Sequence, residues 1–119
     1  MTSTEKMQII AKFLDSKKAN NIKILKVSDL TLLADYFIIC SASSTTQVKA
    51  LSDNLSEHLE ENYKEEPIVK EGKQGLNWIL LDYSDVIVHI FYQETREFYS
   101  LEKLWADAEE IDLEDIIKE

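Results

Sequence analysis

Two hydrophobic periods alternate along this chain, and each change of period marks an element boundary. Thr2 and Glu5 have the spacing of a capping box. Met7, Ile10, Ala11 and Leu14 then form an apolar stripe, flanked by Ile9 and Phe13, which predicts a helix fading near Lys17-Lys18. Ala19-Asn20-Asn21 reads as a turn, residues 22–27 as a short strand and residues 28–34 as a connection. Residues 35–41 form a second strand, so largely apolar that it belongs inside a sheet. Ser44 and Gln47 repeat the capping-box spacing, and Val48, Leu51, Leu55 and Leu59 carry a helix to about Asn62. Pro67, the only proline, opens a brief strand at Ile68-Val69; lacking an amide donor, it suits an edge or a strand start. Both glycines, Gly72 and Gly75, fall in the loop 71–75.

The rest of the chain is organised around residues 78–105. A strand-like run, Trp78-Ile79-Leu80-Leu81, turns at residues 82–85 into a second run at 86–91, nearly all apolar and β-branched apart from His89. That composition predicts a strand covered on both faces, at the centre of a sheet. The tight turn makes the two runs antiparallel neighbours. Phe98, Leu101, Leu104 and Trp105 then fall at helical spacing, which predicts a docked helix whose apolar side, Phe98, Leu101 and Trp105, belongs to the core. The predicted order is α-β-β-α-β-β-β-α plus a tail: an α/β fold with a five-stranded mixed sheet and three helices. The strand around Phe37, with the helix and short strand after it, resembles a βαβ crossover. Residues 1–105 make one domain, and 106–119 an acidic C-terminal tail.

A chain of 119 residues can bury a real core without staples. The single Cys40 excludes an internal disulfide and cannot build a zinc site alone, so a reduced, cytoplasmic setting is expected. The N-terminus lacks the pattern of a secretory signal, and no apolar run reaches the roughly 20 residues of a membrane span. The net charge is −10 and the pI about 4.6, which argues against nucleic acid or an anionic membrane as partner and suits a basic protein. From residue 102 onward eight acids face two lysines, a composition that suits solubility or disorder.

No phosphate-binding loop, dinucleotide fingerprint, HExxH or paired-cysteine motif is present. The serines at 41, 43 and 44 suit cap and turn duty better than nucleophilic chemistry. Asp82, Asp85 and His89 are the one constellation resembling an active site, able in principle to bind a metal or move protons. Strand alternation puts Asp85 and His89 on one face but roughly 13 Å apart, at about 3.3 Å per residue. The simpler reading makes the aspartates turn residues and His89 a hydrogen-bonded core histidine. Cys40 reads as a small buried residue and His58 as a solvated one. Trp78, Tyr83, Tyr92 and Tyr99 lie at element ends or on alternate faces, where core and interface roles are both open; exposed aromatics ringed by acids are typical interface anchors.

Glu71-Gly72, Trp78, Asp82, Asp85-Val86, Val88-His89, Glu94, Arg96, Tyr99, Leu101-Glu102 and Leu104-Trp105 together resemble the ribosomal silencing factor (Iojap-like) family, as does the run from Asp35 to Ser44. The resemblance spans about residues 5–105. Ala42 and Ser84 stand where family members commonly have glycine, and Thr46-Gln47 where a basic residue and histidine are common. The resemblance implies a fold related to the nucleotidyltransferases without their catalytic motif, and no enzymatic activity or cofactor. It further implies binding to the large ribosomal subunit through ribosomal protein fourteen, a block on subunit joining and repression of translation under nutrient limitation, or assistance to subunit assembly as in organelles. It also raises homodimer formation by the free protein through the same apolar surface. On this footing the expected contact surface is Trp78, Asp82, Tyr83, Asp85 and Tyr99, with charge from Glu94 and Glu102. A metal-dependent nucleotidyltransferase-like enzyme and an acidic module for another basic protein are the alternatives.

Overall fold

The computed structural model describes residues 1–72, 75 and 77–118. Helix α1 (Ser3–Ser16) starts as its sequence dictates: the Thr2 hydroxyl accepts from the Glu5 amide at 3.1 Å, and the Glu5 carboxylate accepts from the Thr2 amide at 3.4 Å. Its stripe of Met7, Ile10, Ala11 and Leu14 is buried. Helix α2 (Thr45–Tyr63) is capped by Ser44, whose hydroxyl accepts from the Gln47 amide at 3.1 Å. Here the reciprocal bond shifts by one residue, because the Gln47 side chain accepts from the amide of Ser43, not of Ser44.

Among the described residues the sheet has six strands: β1 (Asn20–Lys26), β2 (Tyr36–Ala42), β3 (Val69–Glu71), β4 (Trp78–Asp82), β5 (Val86–Tyr92) and β6 (Glu109–Ile111), in the order β3-β4-β5-β2-β1-β6. The strand 86–91 is central, as its composition predicts, and β2 beside it is buried at every position. Pro67 precedes the edge strand β3. Gly72 follows β3 at φ +89°, and a Cβ there would meet the Trp78 carbonyl oxygen at 1.8 Å. The rest of the expected 71–75 loop, Lys73 and Gln74, lies outside the described residues.

Three expectations need correction. The parallel pair is not made by a crossover from β2 to the next strand. β2 runs parallel to β5, after the chain has passed through α2, β3 and β4, while β3 joins the far edge antiparallel to β4. The single helix expected beyond β5 is two, α3 (Gln93–Tyr99) and α4 (Leu101–Leu104), because Ser100 adopts φ +48° between them. That break takes Phe98 off the buried stripe. Among the described residues the sheet has six strands rather than five because residues 109–111 pair antiparallel with β1 as β6, and α5 (Leu113–Ile117) follows, burying Ile116. Two glutamates and an isoleucine give no apolar alternation, so this edge strand had no sequence signal. The acidic segment is therefore paired to the sheet through residue 111, not splayed into solvent as a disordered tail.

One face of the sheet is packed under α1, α2 and α5 by Ile24, Ile38, Cys40, Ile79, Leu81, Val88 and Ile90. We call it the helix face. The opposite face carries Leu25, Phe37, Ile39 and Phe91, and is covered by α3, α4 and the segment around Trp105. This aromatic face is the thinner layer.

Candidate functional site

Period-two alternation sends Trp78, Leu80 and Asp82 of β4 and Ile87, His89 and Phe91 of β5 to the aromatic face. Phe91 is fully buried, whereas Trp78, Leu80 and Ile87 remain partly exposed. The Trp78 ring stacks on Phe91 at 4.8 Å between centroids and lies 5.1 Å from Tyr99. Its indole N–H donates to His89 Nδ1 at 3.2 Å, and His89 meets Phe37 edge-on at 5.3 Å. Burial pushes the His89 imidazole down to about 4. The ring is therefore neutral at pH 7, with Nδ1 as acceptor and the proton on Nε2. His89 is a core histidine that fixes the orientation of Trp78 through Nδ1 alone; its Nε2, expected to be hydrogen-bonded as well, is buried with no partner among the described residues.

Helix α3 completes the surface. Phe98 is 82 % exposed and Tyr99 51 % exposed, their rings 5.2 Å apart and nearly perpendicular. Together with Asn77, Trp78, Glu94 and Thr95 they line a notch of about 410 Å³. Aromatic walls beside an exposed carboxylate can take a cationic side chain, held by its charge and by the ring faces.

Of the residues expected at a contact surface, Trp78, Tyr99 and Glu94 come together at this notch. The others do not join them. Tyr83 is 2 % exposed and belongs to the helix-face core, and burial raises its phenol to about 12. Asp85 accepts from Lys6 Nζ of α1 at 2.8 Å, and Glu65 approaches the same buried ammonium at 3.5 Å. Asp82 accepts from the Ser84 amide at 2.7 Å, closing the turn in which Ser84 holds φ +76°, a conformation that suits glycine. Glu102 accepts from Arg96 Nε at 3.3 Å on the far side of α3.

The constellation of Asp82, Asp85 and His89 is likewise dispersed. Asp85 precedes β5, so strand alternation does not govern it, and it turns to α1 while His89 faces the aromatic side. Among the described residues no group of three or more His, Cys, Asp or Glu side chains could hold a metal ion. Cys40 is buried, its thiol raised to about 12 by desolvation.

Phe98 was missed as a surface residue because its spacing with Leu101 and Trp105 is helical, and only the left-handed Ser100 breaks that register. Leu30, Leu32 and Leu33, all exposed on the connection between β1 and β2, were missed as well. Three leucines within four residues were the available signal.

Comparison with known proteins agrees with this architecture. The family model described as "Ribosomal silencing factor during starvation" matches residues 1–119. A protein from Halalkalibacterium halodurans named ribosomal silencing factor RsfS is 37 % identical over 117 residues, covering 98 % of this chain and 99 % of that one. The mouse protein named mitochondrial assembly of ribosomal large subunit protein 1 is 33 % identical over 103 residues, 83 % of this chain and 44 % of that one. A crystal structure of a protein from Chromobacterium violaceum superposes with a TM-score of 0.81 at 32 % identity, covering 89 % of this chain and 88 % of that chain.

Proposed function

Because the chain belongs to the ribosomal silencing factor family, we propose that it binds the large ribosomal subunit at ribosomal protein fourteen and blocks joining of the small subunit, repressing translation when nutrients are short. The action is steric. No bond is made or broken, and the nucleotidyltransferase-related fold that the family resemblance implies serves as a scaffold. The observation that carries this reading is the notch on the aromatic face: Phe98 and Tyr99 stand exposed beside Trp78, with Glu94 at the rim. Monomeric domains seldom leave such rings in solvent without a partner for them. The charge of −10 suits a basic ribosomal protein, whose arginine or lysine side chains the notch would receive. The same apolar surface would serve a homodimer of the free protein.

Sucrose-gradient sedimentation with separated subunits tests the proposal. The protein should travel with the large subunit and reduce the yield of joined ribosomes. Full joining at saturating protein would refute the steric block, and absence from the large-subunit fraction would refute the partner.

A further inference from the structure

A second concavity lies on the other side of α3. It exists because β1 bulges between Asn20 and Lys23 while the chain breaks at Ser100, which together open a cavity of about 610 Å³ between α3, α4 and the sheet. It sits at the carboxyl ends of the parallel pair β2 and β5. From there β2 continues into α2 over the helix face, and β5 into α3 over the aromatic face. A divergence of this kind leaves a crevice at which α/β sheets bind small ligands.

The cavity has a built polar floor. Arg96 is 7 % exposed, and its guanidinium makes three hydrogen bonds. Nη1 donates to the Asn20 carbonyl oxygen at 3.4 Å and to Ser41 Oγ at 3.3 Å, and Nε donates to Glu102 at 3.3 Å. These contacts are longer than the 2.7–2.9 Å usual for charge-assisted bonds. Nη2 has no hydrogen-bond partner among the described residues, although its side chain lines the cavity. Lys23, 3.9 Å from Glu110, and Lys103, with no ion pair among the described residues, line the same space. Thus three cations of an acidic chain meet at one crevice, with Glu97, Glu102 and Glu110 beside them.

We propose that this cavity binds a nucleotide. Its phosphates would meet Arg96 Nη2, Lys23 and Lys103, because a planar guanidinium with free donors matches phosphate oxygens. The cavity is too large for a bare anion and falls in the range of small-molecule sites. Its carboxylates, Glu97, Glu102 and Glu110, would repel a second phosphate cluster but can accept hydrogen bonds from ribose hydroxyls. The site is separate from the aromatic notch and does not depend on ribosome binding.

Calorimetry of the full chain with ADP, GDP, adenosine and inorganic phosphate tests it, with amide chemical shifts as the locator. At least one of the two nucleotides should bind one-to-one, and shifts should centre on Asn21, Ser41 and Ser100. Adenosine and phosphate should each bind at least about tenfold more weakly than that nucleotide. Arg96→Lys removes the planar fork but could loosen the fold, so the deciding variant is the surface double change Lys23→Gln with Lys103→Gln, which removes both charges without setting a carboxylate against Glu110. It should weaken nucleotide binding at least about tenfold while thermal unfolding stays unchanged. Absence of heat at millimolar ADP and GDP, equal binding by the double variant, or shifts centred elsewhere would overturn the proposal. Phosphate binding as tightly as the nucleotides would overturn the nucleotide assignment.

Discussion

The two faces of the sheet are made by the same strands with the same alternation, yet they end in different states. On the helix face, Ile24, Ile38, Ile79, Leu81, Val88 and Ile90 are all fully buried under three helices. On the aromatic face, Phe37, Ile39 and Phe91 are buried, but Trp78, Leu80 and Ile87 stay partly open, and Phe98 and Leu104 project into solvent. Apolarity in a strand therefore does not tell which face is core. What matters is the length of the segment available to cover it. α2 has nineteen residues and reaches across β2, β4 and β5; α3 has seven and stops at the left-handed Ser100. The helix face is spent on folding. The aromatic face has hydrophobic surface left in solvent.

The sharpest way to break this contrast is to truncate one residue on each side. Leu55→Ala, in the fully buried row of α2, should lower stability by roughly 3 kcal/mol, and Tyr83→Ala by a similar or larger amount. Phe98→Ala should change it by less than about 0.5 kcal/mol, because the ring has little burial to lose. Urea denaturation reads all three. Comparable losses for Leu55 and Phe98 would mean that the aromatic face is also core.

A second contrast is in pH, and it turns on His89. Its folded value, about 4, lies below the ordinary 6.5, so between these values the unfolded chain holds a proton that the folded chain lacks. The contribution of His89 is therefore constant above pH 6.5. It falls as pH drops toward 4, by up to about 1.4 kcal/mol per unit and roughly 3 kcal/mol in total. Protonation also turns Nδ1 from acceptor to donor, which breaks the bond from the Trp78 indole. Urea midpoints measured between pH 7 and pH 4 should show this slope, and His89→Gln should flatten it. An equal slope in the variant would place the acid sensitivity among the carboxylates instead.

The helix face was the more legible of the two in the sequence. Its stripes on α1 and α2 have long, regular periods, and Thr2 and Ser44 mark their starts with local chemistry. The hairpin of β4 and β5 and the central place of β5 were also readable, from one tight turn and one β-branched run. The partner of β2 was not. Its parallel neighbour β5 arrives only after α2, β3 and β4, and nothing local to residues 36–42 encodes it. The aromatic notch was half legible: Trp78, Tyr99 and Glu94 were identifiable by residue type, but Tyr83 was misplaced. A tyrosine at a hairpin looks like a surface residue until α1 and α2 are known to close over it. Phe98 failed in the opposite sense, because periodicity cannot register a single residue at positive φ.

At the notch itself, Tyr99→Ala should leave the fold intact and weaken large-subunit binding by roughly 30-fold, the loss expected of about 2 kcal/mol at an aromatic anchor. Trp78→Ala is a poorer probe, since it also removes the stack on Phe91 and the bond to His89. Co-sedimentation titrations give the affinities, and circular dichroism checks the fold. If Tyr99→Ala binds like the unaltered chain, the contact lies elsewhere on the molecule, and the exposed leucines of the connection between β1 and β2 become the next surface to truncate.

The smallest effect belongs to Glu94→Gln, and it separates charge from shape. Glu94 is exposed at the notch rim and makes no hydrogen bond or ion pair among the described residues, so its loss should lower stability by no more than about 0.5 kcal/mol, the share of a first-turn carboxylate in the dipole of a short helix. A rim charge acts mainly on encounter, through the field it adds to that of an acidic protein. Association with the large subunit should therefore slow by a few-fold at low salt, and the difference should shrink as salt shortens the screening length toward 8 Å near 0.15 M. Dissociation should be nearly unaffected. A Glu94→Gln variant that instead dissociates much faster, with the same deficit at high salt, would show the carboxylate to be buried against a cation in the complex. In that case the notch would work by enclosing a partner's basic side chain, with the aromatic rings of α3 as its walls and Glu94 as its counter-charge.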